Sequence, residues 1–365
     1  MKKLILSCSI CLTFSSTFAQ IGDEMTPKEI RYKDSITALN QKNATTAVSQ
    51  EAYNNGIKSF QGKDFTAAIR FFGESIKADP NFTAAMYNKG VAENEAGLFK
   101  DASVTLLALI TKDPSYSKAY FQRGRAYQGT NEYALSEKDY EKSIQIDPKN
   151  PKAYYNYGTL KFVQKDYLTA IKFFTKTIEL DPANPLAYND RGSSYRMLND
   201  YVKAIADYEL ALKKNPNLAF VLNNIGTTKR KTKDYVGAIA AFSRAISVDA
   251  KFYMAFNNRG AALMDQGKFD EAKKDFDAAI AIKSNYAPAY SNLSGVSFKK
   301  KDYKAALIAA DKAIAIDGKY AEAYVNRGMA NEMLREMETA CADWKKASEL
   351  GSETGKSFYS ANCGQ

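Results

Sequence analysis

Small and aromatic residues recur along the chain at a fixed interval of 34 positions, from residue 49 to about residue 354. Glycine marks all but one of the nine units, and Ser294 stands in the remaining one. The glycines are Gly56, Gly90, Gly124, Gly158, Gly192, Gly226, Gly260 and Gly328. We number each unit so that this residue is position 8; position 20 is then always alanine or serine. A self-similarity of this length is typical of helical repeats that stack side by side.

Aromatic residues at positions 4, 17 and 24 of the unit follow helical spacing. We therefore predict two antiparallel helices in each unit, helix A around position 8 and helix B around position 20, where small residues allow close approach. Proline at position 32 of the first five units cannot continue helix B and predicts a turn. One helical pair cannot bury its apolar stripe alone, so neighbouring pairs must stack.

The unit resembles the tetratricopeptide repeat, as seen in residues 184–216, NPLAYNDRGSSYRMLNDYVKAIADYELALKKNP. This resemblance implies an all-α fold, a right-handed α–α superhelix (solenoid) of nine 34-residue hairpins over 49–354. A short helix over about 27–40 and a polar link are expected within residues 20–48. A capping helix over about 353–362 is expected at the other end, within a C-terminal segment placed at 355–365.

Residues 1–19 have the pattern of a secretory signal peptide, in which two lysines precede a short apolar stretch. Small residues at its end predict cleavage between Ala19 and Gln20. Lipid attachment at Cys8 or Cys11 is the less favoured alternative, because the sequence before each cysteine fits it poorly. We therefore expect an exported protein of the periplasm or the outer membrane. No later stretch is long and apolar enough for a membrane span.

The composition restricts the chemistry, because the chain contains no histidine. Catalytic triads, cysteine–histidine pairs and histidine-bound metals are therefore excluded. No nucleophile–base pair or phosphate-binding loop is apparent, so we predict a protein that is not an enzyme and needs no cofactor or metal. A pair of carboxylates could still act in principle. The net charge of +10 favours acidic partners, but no basic block indicates nucleic-acid binding.

Position 7 is arginine in alternate repeats, and position 23 is aspartate in those same repeats. The pairs are Arg123 with Asp139, Arg191 with Asp207, Arg259 with Asp275, and Arg327 with Asp343. The repeats between them carry neither charge, for example Leu293 with Ala309. Because losing one partner of a buried pair costs far more than losing both, this joint occurrence predicts an ion pair that links helix A to helix B. The alternative is a row of arginines that lines a ligand groove.

Position 6 is asparagine in seven repeats: Asn54, Asn88, Asn156, Asn224, Asn258, Asn292 and Asn326. This row resembles the asparagine ladder on the concave surface of the O-linked N-acetylglucosamine transferases, whose catalytic domain is absent here. The resemblance implies that the amides bind the backbone of an extended peptide. Basic residues expected on the same surface are Lys118, Arg125, Lys152, Arg196, Arg230 and Lys231. The alternative for both sets is an ordinary solvated surface.

Two cysteines remain after residue 19, and both lie near the end of the chain. If the capping helix folds back about Gly351, it carries Cys363 toward Cys341. Export would permit a disulfide between them, with two buried thiols as the alternative. The Cys-Ala-Asp-Trp segment at 341–344 and the late cysteine resemble exported repeat proteins of Bacteroidetes-type bacteria.

These patterns together predict a scaffold of the cell envelope that binds protein or peptide, in extended and acidic segments, in the groove of the superhelix. The alternative is a structural component of an outer-membrane assembly that uses its convex face or its ends. A glycan in the groove remains a third possibility, because amide and aromatic side chains also bind sugars.

Overall fold

A computed structural model describes residues 27–363 of the chain. The predicted signal peptide at 1–19, with Cys8 and Cys11, lies outside the described residues. Within them the chain forms nineteen helices and no strand, which confirms the all-α repeat fold. The chain divides into two compact units, the first ending at Leu109 and the second beginning at Ile110. No helix of the described part is both long and apolar enough to cross a bilayer.

The first unit contains four helices, the last of which crosses its boundary. They are α1 Pro27–Gln61, α2 Phe65–Ala78, α3 Thr83–Glu95 and α4 Phe99–Lys112. The first helix differs from the expected short helix and polar link, because it runs unbroken for 35 residues into the first repeat. Residues 41–48 contain no glycine or proline. The hydroxyls of Thr45 and Thr46 instead donate to carbonyls one turn earlier, at 2.8 Å each, so the polar composition is compatible with a helix.

The second unit contains seven further repeats and a final helix. Its elements are α5 Ser117–Gly129, α6 Tyr133–Ile146, α7 Pro151–Val163, α8 Tyr167–Leu180, α9 Pro185–Met197, α10 Tyr201–Lys214, α11 Ala219–Lys231, α12 Tyr235–Val248, α13 Tyr253–Asp265, α14 Phe269–Ile282, α15 Ala287–Lys299, α16 Tyr303–Ile316, α17 Ala321–Met333, α18 Met337–Glu349 and α19 Glu353–Asn362. Odd numbers from α5 to α17 are helices A, and even numbers from α6 to α18 are helices B. The last helix matches the expected capping helix.

A left-handed residue at position 15 separates helix A from helix B in every repeat. The nine residues at this position, all with positive φ, are Lys63, Gly97, Asn131, Lys165, Asn199, Lys233, Gly267, Lys301 and Arg335. An aspartate at position 16 often begins the next helix; the side chain of Asp166, for example, accepts a hydrogen bond from the backbone N–H of Thr169. This turn reverses the chain within three residues and places the two helices side by side.

The core of most repeats is a ring at position 24 that lies on the glycine at position 8. A β-carbon at Gly226 would stand only 2.6 Å from the ring of Phe242, so no larger residue fits there. Repeat 8 is the exception that the sequence pattern had shown at Ser294. Its position 24 is Ala310, and the hydroxyl of Ser294 donates to the carbonyl of Ala306 at 2.7 Å. A larger residue at position 8 is therefore matched by a smaller one at position 24.

Candidate binding groove along the first helices of the repeats

The asparagines at position 6 form side-chain hydrogen bonds between successive A helices. In the second unit, the Nδ2 of Asn224 donates to the Oδ1 of Asn189 in the preceding repeat, at 2.9 Å. The same contact joins Asn258 to Asn223 and Asn292 to Asn257, again at 2.9 Å. Asn326 donates to the carbonyl and the hydroxyl of Ser291, at 2.9 and 3.0 Å. We call this row of contacts between positions 5 and 6 the amide ladder.

The direction of the hydrogen bonds in the amide ladder is set by a second donor. The Nδ2 of Asn189 donates to the Oδ1 of Asp190, at 2.8 Å, so the Oδ1 of Asn189 must face Asn224 as an acceptor. The amide nitrogen of Asn224 is therefore held by the preceding repeat, and its own oxygen is left over. No described residue donates to the Oδ1 of Asn224 or of Asn292, and both side chains are half-buried. Asn224 and Asn292 thus present fixed acceptors, whereas the Oδ1 of Asn258 already accepts from the Nδ2 of Asn257 at 3.3 Å.

The remaining ladder positions depart from this pattern for reasons of local chemistry. Asn156 donates to the carbonyl of Lys152 in its own helix, at 2.9 Å, because position 5 of the preceding repeat is Phe121, which cannot accept. In the first unit, Asn88 donates to the hydroxyl of Tyr53 at 2.9 Å. Asn54 is exposed and accepts from a neighbouring glutamine. The seven asparagines therefore do not form one uniform row.

An aspartate replaces asparagine in the ladder position of repeat 5. The hydroxyl of Tyr155 donates to the Oδ2 of Asp190 at 2.6 Å, which continues the link between repeats 4 and 5 with an acidic acceptor. Burial raises the pKa of the Asp190 carboxyl above its ordinary value, although hydrogen bonds from Tyr155 and Asn189 oppose the shift. The carboxylate is thus less favourable at this site than in water.

The predicted basic residues differ in exposure and in whether another side chain already pairs with their charge. Lys118, Lys152 and Lys231 are exposed. Arg230 is instead neutralised by Asp265 of the next repeat, at 2.6 Å. Arg125 donates to the side chain of Gln122, at 3.1 Å. Arg196 is half-buried, and its Nε is a buried donor with no partner among the described residues.

Two cavities lie beside the ladder in the second unit. The larger, about 310 Å³, is lined by Arg230, Lys231, Asn258 and Asp265, which places three of the predicted groove residues around one space. The smaller, about 240 Å³, is lined by residues that include Asn292 and Asn326. A group of side chains able to hold a metal ion was not found among the described residues.

The arginines of position 7 lie against the aspartates of position 23, as expected for ion pairs between the two helices. In each of the four repeats the Nε and Nη2 atoms of the arginine donate to the two carboxylate oxygens, at 2.6–2.9 Å. Hydrogen bonding to the aspartate is the largest influence that raises the pKa of Arg191, Arg259 and Arg327. These guanidinium groups are thus committed to the fold, which disfavours the alternative of arginines free to bind a ligand.

Three of these arginines also reach the B helix of the preceding repeat, a contact that the sequence analysis did not predict. The Nη1 of Arg191 donates to the hydroxyl of Thr175 at 3.1 Å, and that of Arg259 to the hydroxyl of Ser243 at 3.0 Å. Arg327 makes the corresponding contact with a carboxylate oxygen of Asp311, at 2.8 Å. All three acceptors stand at position 25. The arginine therefore ties together one helix A and two helices B.

The capping helix places the two late cysteines at bonding distance. Their Cα atoms are 5.7 Å apart, and they are joined as a disulfide across 22 residues of sequence. The ring of Phe358 in the same helix stacks on that of Trp344, with centroids 5.2 Å apart. Both contacts fix α19 on α18, and so the last repeat is covered.

Family models of the tetratricopeptide repeat match four segments of the chain. The matched residues are 117–150, 139–172, 185–218 and 253–286. Three of these segments begin and end where repeats 3, 5 and 7 begin and end in our numbering. The matched segments, which together span about a third of the chain, are therefore tetratricopeptide repeats. No curated relative matches the sequence.

Three solved structures of similar fold can be compared with this chain. A tetratricopeptide repeat protein from Parabacteroides merdae is 22% identical, with a TM-score of 0.58 over 67% of this chain and 98% of that one. A chain of the APC/C hetero-tetramer Cut9–Hcn1 is 18% identical, with a TM-score of 0.53 over 75% of this chain. The match spans only 52% of the Cut9–Hcn1 chain. The pilF protein of Pseudomonas aeruginosa is 20% identical, with a TM-score of 0.50 over 58% of this chain and 97% of that one. These likenesses establish the fold alone.

Proposed function

We propose that this chain of tetratricopeptide repeats is a non-enzymatic interaction scaffold that holds extended, acidic peptide segments along its A helices. The observation that carries the proposal is the amide ladder. Its nitrogens are bound by the preceding repeat, so its free oxygens are fixed in place before any ligand arrives. A peptide backbone offers N–H donors at regular intervals, and such preorganised acceptors bind them without a further cost of ordering the protein.

Charge supports an acidic rather than a neutral peptide. The exposed ammonium groups of Lys118 and Lys152 lie on the A helices α5 and α7, which precede the ladder, and the Nε of Arg196 on α9 is a buried donor without a partner among the described residues. Leaving such a donor unbonded is unfavourable, and a carboxylate or carbonyl of a ligand would satisfy it. Each net hydrogen bond contributes only about 0.5–1.5 kcal/mol, so we expect weak binding, about micromolar for one segment.

The cell envelope is the proposed location, because residues 1–19 have the pattern of a signal peptide. The cysteine pair near the end of the chain agrees with an oxidising compartment such as the periplasm. Fractionation of the native cells, with the chain detected by antibody, tests this proposal directly. Recovery of the chain in the cytosol, with residues 1–19 still attached, would contradict it.

A second candidate function is assembly through the B helices, where three successive repeats expose an aliphatic residue at position 18. Leu168, Val202 and Val236 have relative exposures of 71%, 81% and 73%. A row of this kind would suit a structural contact within an outer-membrane complex. It has no counterpart in the other repeats, where position 18 is alanine or polar.

One experiment separates the two functions. A display library of unstructured peptides of about 12 residues is selected on the full chain, and the enriched peptides are measured by fluorescence anisotropy. Replacing Asn224, Asn292 and Asn326 together by alanine should weaken binding by about tenfold or more. The matched control replaces Leu168, Val202 and Val236 by alanine and should leave the affinity unchanged. Loss of binding only in the control would favour the second candidate and reject the groove.

A further inference from the structure

The cavity of about 240 Å³ lies at the end of the amide ladder, against repeats 8 and 9 and the start of the capping helix α19. Asn292 and Asn326 line it from position 6 of the two repeats, and Ser352 and Thr354 line it from the beginning of α19. Among the described residues that line the cavity, Glu322 of α17 is the one charged side chain. The cavity therefore has a carboxylate but no lysine or arginine in its lining.

The amides at this cavity offer oxygen atoms and not N–H groups. The Nδ2 of Asn292 donates to the Oδ1 of Asn257 at 2.9 Å. The Nδ2 of Asn326 donates to the carbonyl of Ser291 at 2.9 Å, and because a carbonyl can only accept, the Oδ1 of Asn326 cannot take that place. No described residue donates to the Oδ1 of Asn292 or of Asn326. The cavity is therefore lined by acceptors that lack a donor.

The carboxylate of Glu322 is available to a ligand. Glu322 is exposed and forms no ion pair among the described residues. Arg327 of the same helix is already bound by Asp343 and Asp311, at 2.6 and 2.8 Å. Burial, and then the charge of Glu322, raise the pKa of Tyr320 in the cavity lining to about 12, so a neutral ring lies near the carboxylate. An aromatic face beside a carboxylate favours a cation.

The sign of the charge at position 2 changes along the groove. This position is Lys118 in repeat 3 and Lys152 in repeat 4, and it is an acid only in repeat 9, as Glu322. Positions 2, 5, 6, 9, 12 and 13 together follow the same trend, with six basic residues and one acid in repeats 3–6 but three acids and one lysine in repeats 7–9. A ligand that is acidic along repeats 3–6 therefore needs a positive group at repeats 8 and 9 to match the protein.

We propose that this cavity binds a primary ammonium group of a peptide, either the α-ammonium group at its N-terminus or the ε-ammonium group of a lysine. The inference rests on the proposed function in so far as the ammonium group belongs to a peptide held in the groove. An ammonium group has three N–H donors and accepts none, which suits the oxygens of Asn292, Asn326 and Glu322.

A carboxylate suits the cavity less well, although the start of a helix attracts anions. The start of α19 is already capped, because the hydroxyl of Ser352 accepts from the N–H of Gly355 at 3.1 Å. Glu353 also places a negative charge in the first turn of this helix. The test must therefore compare cationic, neutral and anionic probes.

The test uses probes that are too short to follow the ladder from repeat to repeat. Alanyl-alanine amide carries an α-ammonium group, and Nα-acetyl-lysine amide carries an ε-ammonium group. N-acetyl-alanyl-alanine amide is uncharged, and N-acetyl-alanine carries only a carboxylate. Each is titrated into the full chain labelled with carbon-13 at the methionine methyl groups. The NMR signal of Met264, which lines the cavity and is assigned with the variant Met264→Leu, reports binding.

At least one ammonium probe should shift the Met264 signal with a Kd of about a millimolar, as expected for so few atoms, and the tighter of the two identifies the source of the group. Glu322→Gln should weaken this binding by about threefold or more, because it removes the charge and nearly keeps the shape. Gly295→Leu should abolish it, since a β-carbon at Gly295 would lie in open space, 3.9 Å from the sulfur of Met264. The matched control is Glu332→Gln, ten residues further along α17 and outside the cavity lining, which should bind as the wild type does.

The proposal is overturned if neither ammonium probe shifts the Met264 signal, if the uncharged or the anionic probe binds as tightly, or if Glu322→Gln and Glu332→Gln have equal effects. None of these results depends on whether the groove binds a peptide. Ammonium binding at the cavity without any peptide selected on the groove would keep this site and reject the peptide scaffold. A selected peptide together with no response of Met264 to the ammonium probes would do the reverse.

Discussion

The guanidinium of Arg191 is held by both carboxylate oxygens of Asp207, each at 2.8 Å, between two helices of one repeat. Both side chains are largely buried, with 17% and 6% of their surfaces exposed. Removing one partner therefore leaves a charge that is neither hydrated nor paired. Arg191→Leu should destabilise the chain by about 3–5 kcal/mol, because breaking a buried pair has this cost.

The double variant Arg191→Leu with Asp207→Leu should lie close to the wild type, as the apolar pairs of repeats 6 and 8 suggest. Chemical denaturation of the wild type, both single variants and the double variant measures the coupling. If the effects of the two single substitutions simply add in the double variant, the charges do not act as a pair.

Ser294 and Ala310 give a prediction about packing. Ala310→Phe restores the ring found in repeat 7, but the β-carbon and hydroxyl of Ser294 now occupy the space over which that ring would lie. We expect a destabilisation of about 1–3 kcal/mol from overpacking. Adding Ser294→Gly should recover most of it, because Gly260 over Phe276 is the same arrangement. Thermal melts of the wild type and the two variants check the result; a double variant no more stable than Ala310→Phe alone would contradict this account.

Asp190 predicts an unusual dependence of stability on pH. Because burial raises its folded pKa above the ordinary value of 3.8, its protonated form stabilises the fold below that pH, and this stabilisation is lost as the pH rises through the folded pKa. Asp190→Asn removes this loss and retains a partner for Tyr155. The melting temperature of the variant should therefore rise relative to the wild type between about pH 4 and about pH 7.

Asp200 serves as the control for this experiment, because its shift has the opposite sign. Hydrogen bonds to Lys203 lower its pKa, so its contribution is present above pH 3.8 and lost as the pH falls through the folded pKa. Asp200→Asn should not gain relative to the wild type as the pH rises. Parallel pH profiles for the two variants would show that burial of Asp190 is not the cause.

The cysteine pair predicts a redox-dependent stability. Replacing Cys341 and Cys363 by serine removes a link that closes 22 residues of chain, which should cost about 3 kcal/mol in the chain-entropy model. A reducing agent should lower the melting temperature of the wild type to that of the serine variant. The melting temperature of the serine variant itself should not change. An equal response of both proteins to the reductant would mean that the thiols are not joined in solution.

The sequence predicted the helical pairs, and the partners at positions 7 and 23, because every repeat has the same geometry. A repeat that carries Leu293 with Ala309 in place of the charged residues therefore serves as a natural double variant. The third contact of Arg191, to Thr175, could not be found in this way. It joins different repeats, and its acceptor varies between threonine, serine and aspartate. The length of helix α1 was mispredicted because the polar residues at 41–48 suggest a link. That prediction assumes that their side chains compete for the hydrogen bonds of the backbone. The hydroxyls of Thr45 and Thr46 instead donate within the helix and leave it intact.

The one-way donation along A helices has a consequence for any strand that lies beside them. From Asn224 to Asn326, each amide nitrogen points back toward the preceding repeat, so the dipoles of these side chains add instead of cancelling. The amide ladder is therefore directional. A bound polypeptide that runs N-to-C along it and the same polypeptide in reverse would experience different electrostatic fields. Orientation, and not only composition, would decide which segments are retained.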